Sequence, residues 1–290
     1  MYIALVVFAT LIFAVQFTAN AEYSRTEGGA LHKGLLLSLL SGASACVMLV
    51  FTVDKWQFTG FSFVLALLSA LAYVIMMWCS VKVLNKGELA VYSLFSQIGG
   101  MLIPSLAGIL FYAEPLTWQR SVCIVLVIIA TLIGKPSGKK KNGGKHAGAM
   151  VWYISVFVLN GVWGTFAKMH QSAPEMAVTS SMFSLMTRVL ITVIAGIALI
   201  PVLRNVTKPI LNKPKKSCIL VLVSGVLNTL GNLIMLEALL HVDASIQYPV
   251  ATGGMMVLTV IVDCLYGRKP TARTLVSIAI AFVGLLLLAL

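Results

Sequence analysis

A single arginine interrupts a long uncharged stretch. Arg188 lies between 176–187 and 189–203, and neither run holds an Asp, Glu, Lys or Arg. A guanidinium at bilayer depth costs at least about 2.5–3.5 kcal/mol, so it faces protein or water rather than lipid. Two chemistries suit it there: binding an anionic group of a solute, or pairing with a carboxylate on an adjacent helix. It could also snorkel toward an interface or be fixed by helix-end carbonyls. A cavity or pairing role is the favoured reading.

Uncharged polar residues recur at helical spacing in other apolar runs. Asn228 and Asn232 are four apart and share one helix face. Ser93, Gln97, Gly100 and Pro104 share another. Gln247 and Tyr248 open a run in which Gly254 falls on the face of Gln247. Gln16, Asn20, Asn160 and Trp163 add polar and aromatic groups, and Tyr73, Trp78 and Tyr92 could wall a cavity. These residues make a candidate solute site. The competing reading is that the amides and hydroxyls join helices, at about 0.6 kcal/mol per hydrogen bond. Glu237, near the end of its run, is the candidate proton-exchanging group; alternatively it is an interfacial carboxylate paired with a nearby base. Glu114, just before Pro115, reads as structural, accepting from free N–H groups at the next helix start. Asp263 reads as structural too. Gly99-Gly100 and Gly253-Gly254 read as close helix packing.

Other chemistries lack their residues. The histidines 32, 146, 170 and 241 all fall near loops. The five cysteines lie in apolar runs without a CxxC pair and read as small buried hydrophobes. No HExxH, phosphate-binding loop or GxSxG is present, so no metal, cofactor or enzyme is expected, nor a pump driven by the chain's own ATP hydrolysis.

The elements that must position these groups are legible in the charge pattern. Of the 290 residues, 59% are hydrophobic and 10% charged, against about 25% charged in soluble domains. Charge-free runs fall at 1–21, 34–53, 56–81, 89–113, 121–134, 147–167, 176–203 (broken at Arg188), 217–236, 244–262 and 274–290. A membrane helix needs about 20 apolar residues, and backbone satisfaction in lipid requires helix. The sequence therefore predicts an all-α membrane protein of ten spans. Ala19-Asn20-Ala21 has the look of a leader cleavage site, but no Lys or Arg precedes the run, so the first run is expected to remain as a span.

The net charge of +12 would suggest nucleic acid in a soluble chain. Here seventeen of the twenty-one Lys and Arg sit in loops after odd-numbered spans, and three after even ones. The excess is an orientation signal, which places loops such as 135–148 and 204–216 in the cytoplasm of a cell (plasma or inner) membrane and both termini outside. Lys139-Lys140-Lys141 would lie beside anionic lipid headgroups, and no nucleic-acid partner is expected.

An offset of 154 residues aligns Gly99-Gly100-Met101 with Gly253-Gly254-Met255, Ala90 with Ala244, Tyr112 with Tyr266, Thr117 with Thr271, Val122 with Val276 and Ile124 with Ile278. The chain divides into a first five-helix repeat (1–134), a Lys/Gly-rich linker (135–148) and a second repeat (149–290). An odd number of spans per repeat inverts the second relative to the first, a transporter architecture with its site between the halves.

Three segments resemble the drug/metabolite transporter superfamily, specifically EamA-like permeases. Gly108-Ile-Leu-Phe-Tyr-Ala-Glu114-Pro-Leu-Thr117, followed by a span ending at Gly134, is similar to the family's G-x-L-F-x-x-E-x-L-T signature. Trp163-Gly164-Thr-Phe-Ala-Lys168 is similar to its W-G-x-x-F-x-x-K segment, one residue short. Arg188 resembles the arginine of its R-F/L motif. The first span lacks the Trp-Gly pair, and the second has only Lys33 near its missing arginine. Arg268 stands opposite Glu114, and termini outside differ from the orientation usual in the family. The resemblance implies alternating-access transport of a small organic metabolite or drug, with spans three, four, eight and nine walling the cavity. The alternatives are a non-transporting scaffold or accessory flippase subunit, and an intramembrane enzyme. A homodimer is compatible with the sequence.

Overall fold

The computed structural model describes residues 2–26, 29–87, 89–112, 116–134, 145–204, 214–239, 241, 244–268 and 270–287. Among these residues there are ten α-helices and no strand: α1 (Tyr2–Ser24), α2 (Ala30–Leu49), α3 (Gly60–Lys86), α4 (Leu89–Phe111), α5 (Trp118–Ile133), α6 (Lys145–Gln171), α7 (Ser180–Arg204), α8 (Pro214–Leu239), α9 (Ala244–Leu265) and α10 (Ala272–Leu287). Each falls on one of the charge-free runs. Seven contain a segment long and apolar enough to cross a membrane. The others offer shorter apolar segments: Trp118–Ile133, Val250–Leu265 and Ala272–Leu287. At 1.5 Å per residue, a 16-residue helix such as α5 spans about 24 Å, less than a typical hydrocarbon core. α6 begins at Lys145, inside the segment expected as linker.

Local chemistry sets several helix starts. Thr59, Thr117, Thr179 and Thr271 each accept, through Oγ1, the backbone N–H three residues on, so α3, α5, α7 and α10 begin behind a threonine cap. Thr117 and Thr271 are a pair in the 154-residue offset, and capping explains their identity. Gly267, just beyond α9, has a φ of 72°, the left-handed conformation that glycine adopts without penalty.

The helices carry apolar side chains outward. Ile3, Val7, Leu11 and Val15 make an exposed stripe on α1, Val64, Leu68, Leu71 and Ile75 one on α3, and Val189, Val193, Ile197 and Ile200 one on α7. Thr10, Gln16, Asn20, Thr187 and Arg188 are buried on the same helices. Continuous exposed apolar stripes suit a lipid solvent, and the interior collects the polar groups.

The most extensive packing joins α1 to α8 and α4 to α6, followed by α2 with α7 and α3 with α6. Adding five to each helix number maps many contacts onto one another: α1 on α8 becomes α6 on α3, α1 on α9 becomes α6 on α4, and α2 on α8 becomes α7 on α3. The pairs α2–α7, α4–α9 and α5–α10 map onto themselves. The mapping fails for some of the slighter contacts, such as α1 on α3, and most heavily at one pair. α2 packs along α3, whereas among the described residues α7 does not pack along α8.

Candidate functional site

Arg188 sits on the inward face of α7, about 12 Å from its start at 1.5 Å per residue, and is 8% exposed. Its Nη2 donates to Oδ1 of Asn228 on α8 at 3.1 Å, which links α7 to α8. The guanidinium lies 5.3 Å from the ring centre of Tyr73 on α3, within cation–π range. Tyr73 in turn faces Trp163 on α6, with ring centres 6.0 Å apart. Asn232 Nδ2 donates to the Asn228 carbonyl at 2.6 Å and lies 3.4 Å from Asn228 Oδ1. Five residues singled out in the sequence (Arg188, Asn228, Asn232, Tyr73 and Trp163) thus form one cluster from four helices. Asn232 is exposed, Asn228 half-buried and Arg188 buried, so the cluster runs from the surface of α8 inward.

The arginine is incompletely satisfied. Nη1 is buried and has no hydrogen-bond partner. Among the described residues no carboxylate pairs with it: the ion pairs are those of Glu22, Asp263 and Glu237 with other bases. The expectation that Arg188 either pairs with a neighbouring acid or meets a solute therefore loses its first branch within the described residues.

Other expected cavity residues lie elsewhere. Asn160 on α6 donates to the Ser96 carbonyl on α4 at 2.6 Å, and a Cβ on Gly100 would meet its amide at 2.6 Å. That places Asn160 in the α4–α6 seam. Tyr92 is buried, donates to Ser80 at 3.2 Å and packs against Phe17 at 5.5 Å. Ser93 Oγ and Gln16 Oε1 are buried without hydrogen-bond partners, and Gln97 is half-buried on α4. Asn20 on α1 accepts from Ser224 of α8 at 2.5 Å. Gln247 and Tyr248 belong to α9, but their side chains lie outside the described residues, as does all of Glu114. Glu237 is 61% exposed near the end of α8, 3.8 Å from His241, outside the Arg188 cluster.

The paired glycines sit at helix seams. A Cβ on Gly99 would fall 2.1 Å from the Phe157 carbonyl oxygen of α6, and one on Gly254 would fall 3.0 Å from Thr10 of α1. One on Gly253 would fall 2.4 Å from the Phe282 ring of α10. Gly161 and Gly164 make the matching approach to α4, against Ile103 and Pro104.

Three polar assemblies at the helix ends were not legible in the sequence. At one end of the bundle, Glu22 accepts from Arg25 at 3.1 Å and from Arg268 at 2.9 Å. Arg268 also lies 3.5 Å from Asp263, which is 1% exposed. Asp263 Oδ2 accepts the backbone N–H of Ala90 at 2.9 Å, so α9 caps the start of α4. Lys33, expected in a loop, instead lies in the first turn of α2. It is 1% exposed, and its Nζ donates to the carbonyls of Ser24 and Thr26 at 2.6 Å each, which satisfies the end of α1. At the opposite end, Ser62 of α3 meets His170 of α6 at 3.1 Å and accepts from the Val178 N–H at 3.1 Å.

These observations define a class first: a multi-pass helical membrane protein with a buried cation and amides inside its bundle. Residues 149–290 match the EamA-like transporter family, part of the drug/metabolite transporter superfamily. The fold is similar to one solved crystal structure over 98% of this chain and 94% of the other, with a TM-score of 0.61 and 12% identity; that likeness concerns fold alone. No curated protein matches the chain.

Proposed function

We propose that the protein is a secondary transporter of a small organic solute, working by alternating access across a cell membrane between two inverted five-helix repeats whose ten helices all cross. The observation that carries this reading is the placement of the Arg188 cluster. It lies among α3, α6, α7 and α8, where the five-helix packing relation departs most and, among the described residues, α7 does not pack along α8. Inverted repeats place a solute site between their halves, and the two conformations of such a carrier exchange the packing of equivalent helices. The match of residues 149–290 to a transporter family supports it. In the proton-coupled form of this reading, Glu237 exchanges protons at the exposed end of α8.

The test is counterflow in liposomes containing purified, correctly inserted protein and a broad panel of radiolabelled metabolites. Accumulation of at least one solute above empty liposomes is expected; movement of none would refute transport. Orientation is tested separately by a single cysteine in the 139–145 segment in a background lacking Cys264. Protection from an impermeant maleimide in intact cells is expected, and labelling would reverse the proposed topology.

A further inference from the structure

We infer that Arg188 is the anion-recognition residue of the solute site and that the solute is an organic monocarboxylate carrying an aromatic body. This rests on the transport reading only in taking the cluster as a solute site. A guanidinium has five N–H donors arranged in a fork. The Nη2 nitrogen uses a donor on Asn228, while the buried Nη1 uses none. An unmade hydrogen bond at a buried charged donor is costly, and helix-end carbonyls, which relieve Lys33, are absent from its partners. The missing partner must therefore be an acceptor, and the uncompensated positive charge requires an anionic one. Its charge is fixed by the count. One cation with no described acid beside it balances one carboxylate, whereas a dianionic phosphate would leave a buried negative charge.

The surroundings select the rest of the molecule. Tyr73 stacks toward the guanidinium and Trp163 toward Tyr73, so the wall beside the anion position is aromatic. Rings prefer offset or edge-on contact with such a wall. Among the described residues the Asn228–Asn232 ladder supplies the other polar contacts within the cluster, and both belong to one helix face.

The experiment is equilibrium binding to the purified full-length protein, read by thermal shift. The probes are three molecules of one scaffold: phenylacetate, phenylacetamide and phenethylamine. Phenylacetate is expected to raise Tm, and the neutral and cationic analogues to leave it unchanged. Arg188→Gln is expected to weaken phenylacetate binding about 10- to 100-fold, the equivalent of one lost charge-assisted bond. It should leave the unliganded Tm equal or higher, because it removes an unsatisfied buried cation. Arg188→Lys keeps the charge without the fork, so it should retain the preference for the carboxylate with weaker binding, and it serves as the test if the Gln variant does not fold. Equal shifts from all three probes, or undiminished phenylacetate binding in Arg188→Gln, would overturn the assignment. Tighter binding of oleate than of phenylacetate through Arg188 would assign the site to lipid carboxylates and overturn the solute claim. The transport reading fails or stands apart from this result. Arg188-dependent phenylacetate binding without counterflow of any solute would sink transport alone. Counterflow of a neutral or cationic solute unaffected by Arg188→Gln would sink the carboxylate inference alone.

Discussion

Replacing Gly99 by alanine tests the packing of α4 on α6. The added Cβ would stand 2.1 Å from the Phe157 carbonyl oxygen and 2.7 Å from that residue's carbonyl carbon and Cα. All three are backbone atoms, so no side-chain rotation relieves the clash. Ordinary contact begins near 3.4 Å, so the helices must separate locally by about 1.3 Å. The 2.6 Å bond from Asn160 to the Ser96 carbonyl then stretches beyond useful hydrogen-bond distance. Overpacking costs about 1–3 kcal/mol and the lost bond about 1 kcal/mol, while alanine's helix preference returns about 1 kcal/mol. The expected net loss is about 2 kcal/mol, or roughly 4–8 °C in Tm for a chain of this size class.

The assay is thermal unfolding of purified protein in detergent, followed by tryptophan fluorescence. Two controls grade the effect. Gly100→Ala places its Cβ against the movable amide of Asn160, at 2.6 Å, and should cost less. Gly196→Ala meets only Leu39 at 3.5 Å and should leave Tm unchanged or raise it. A Gly99→Ala Tm at or above wild type, or indistinguishable from that of Gly196→Ala, would refute the argument that backbone contact sets this seam.

Three further outcomes follow from the helix-end assemblies. Asp263→Ala leaves the Ala90 N–H without its acceptor and should cost about 1–3 kcal/mol in thermal unfolding, with Asp263→Asn intermediate because its amide oxygen can still accept. Lys33→Met removes a buried ammonium from the carbonyls of Ser24 and Thr26 and should destabilise by a similar amount, about 1–3 kcal/mol; an unchanged Tm would show that these carbonyls find other donors. Glu237→Gln, at an exposed position, should stay within about 0.5 kcal/mol of wild type in stability, and in reconstituted transport it should blunt the response to an imposed pH gradient if Glu237 exchanges the proton.

The helices were readable because nearly every Asp, Glu, Lys and Arg lies in a loop or near a helix end, so runs without charge mark the middle of each element directly. Arg188 was readable for the converse reason, as a cation where the pattern forbids one. The Asn228–Asn232 face followed from spacing, but its meeting with Arg188 did not. That contact spans forty residues and depends on how α7 and α8 stand relative to α2 and α3. Lys33 was misread as a loop residue, and the partner that Asp263 caps was not readable, because both meet backbone atoms: the carbonyls closing α1, and the N–H of Ala90 173 residues away. Backbone groups are the same at every position and leave no mark in a sequence. Asn160 illustrates the opposite limit, since an amide in a helix reads equally as cavity wall or as seam until its neighbour is known.

Cutting the sequence between α5 and α6 would not divide the bundle. α6, the first helix of the second half, packs chiefly on α3 and α4 of the first, and α1 packs chiefly on α8 and α9 of the second. The backbone contact at Gly99 and the approaches of Gly161 and Gly164 weld α6 to α4, while Gly254 brings α9 onto α1 and Gly231 brings α8 onto Phe13 of α1. Each half has in effect exchanged its leading helix with the other, as in an intramolecular domain swap. The rigid bodies are therefore mixed in sequence, and neither half expressed alone retains the neighbours of its own first helix.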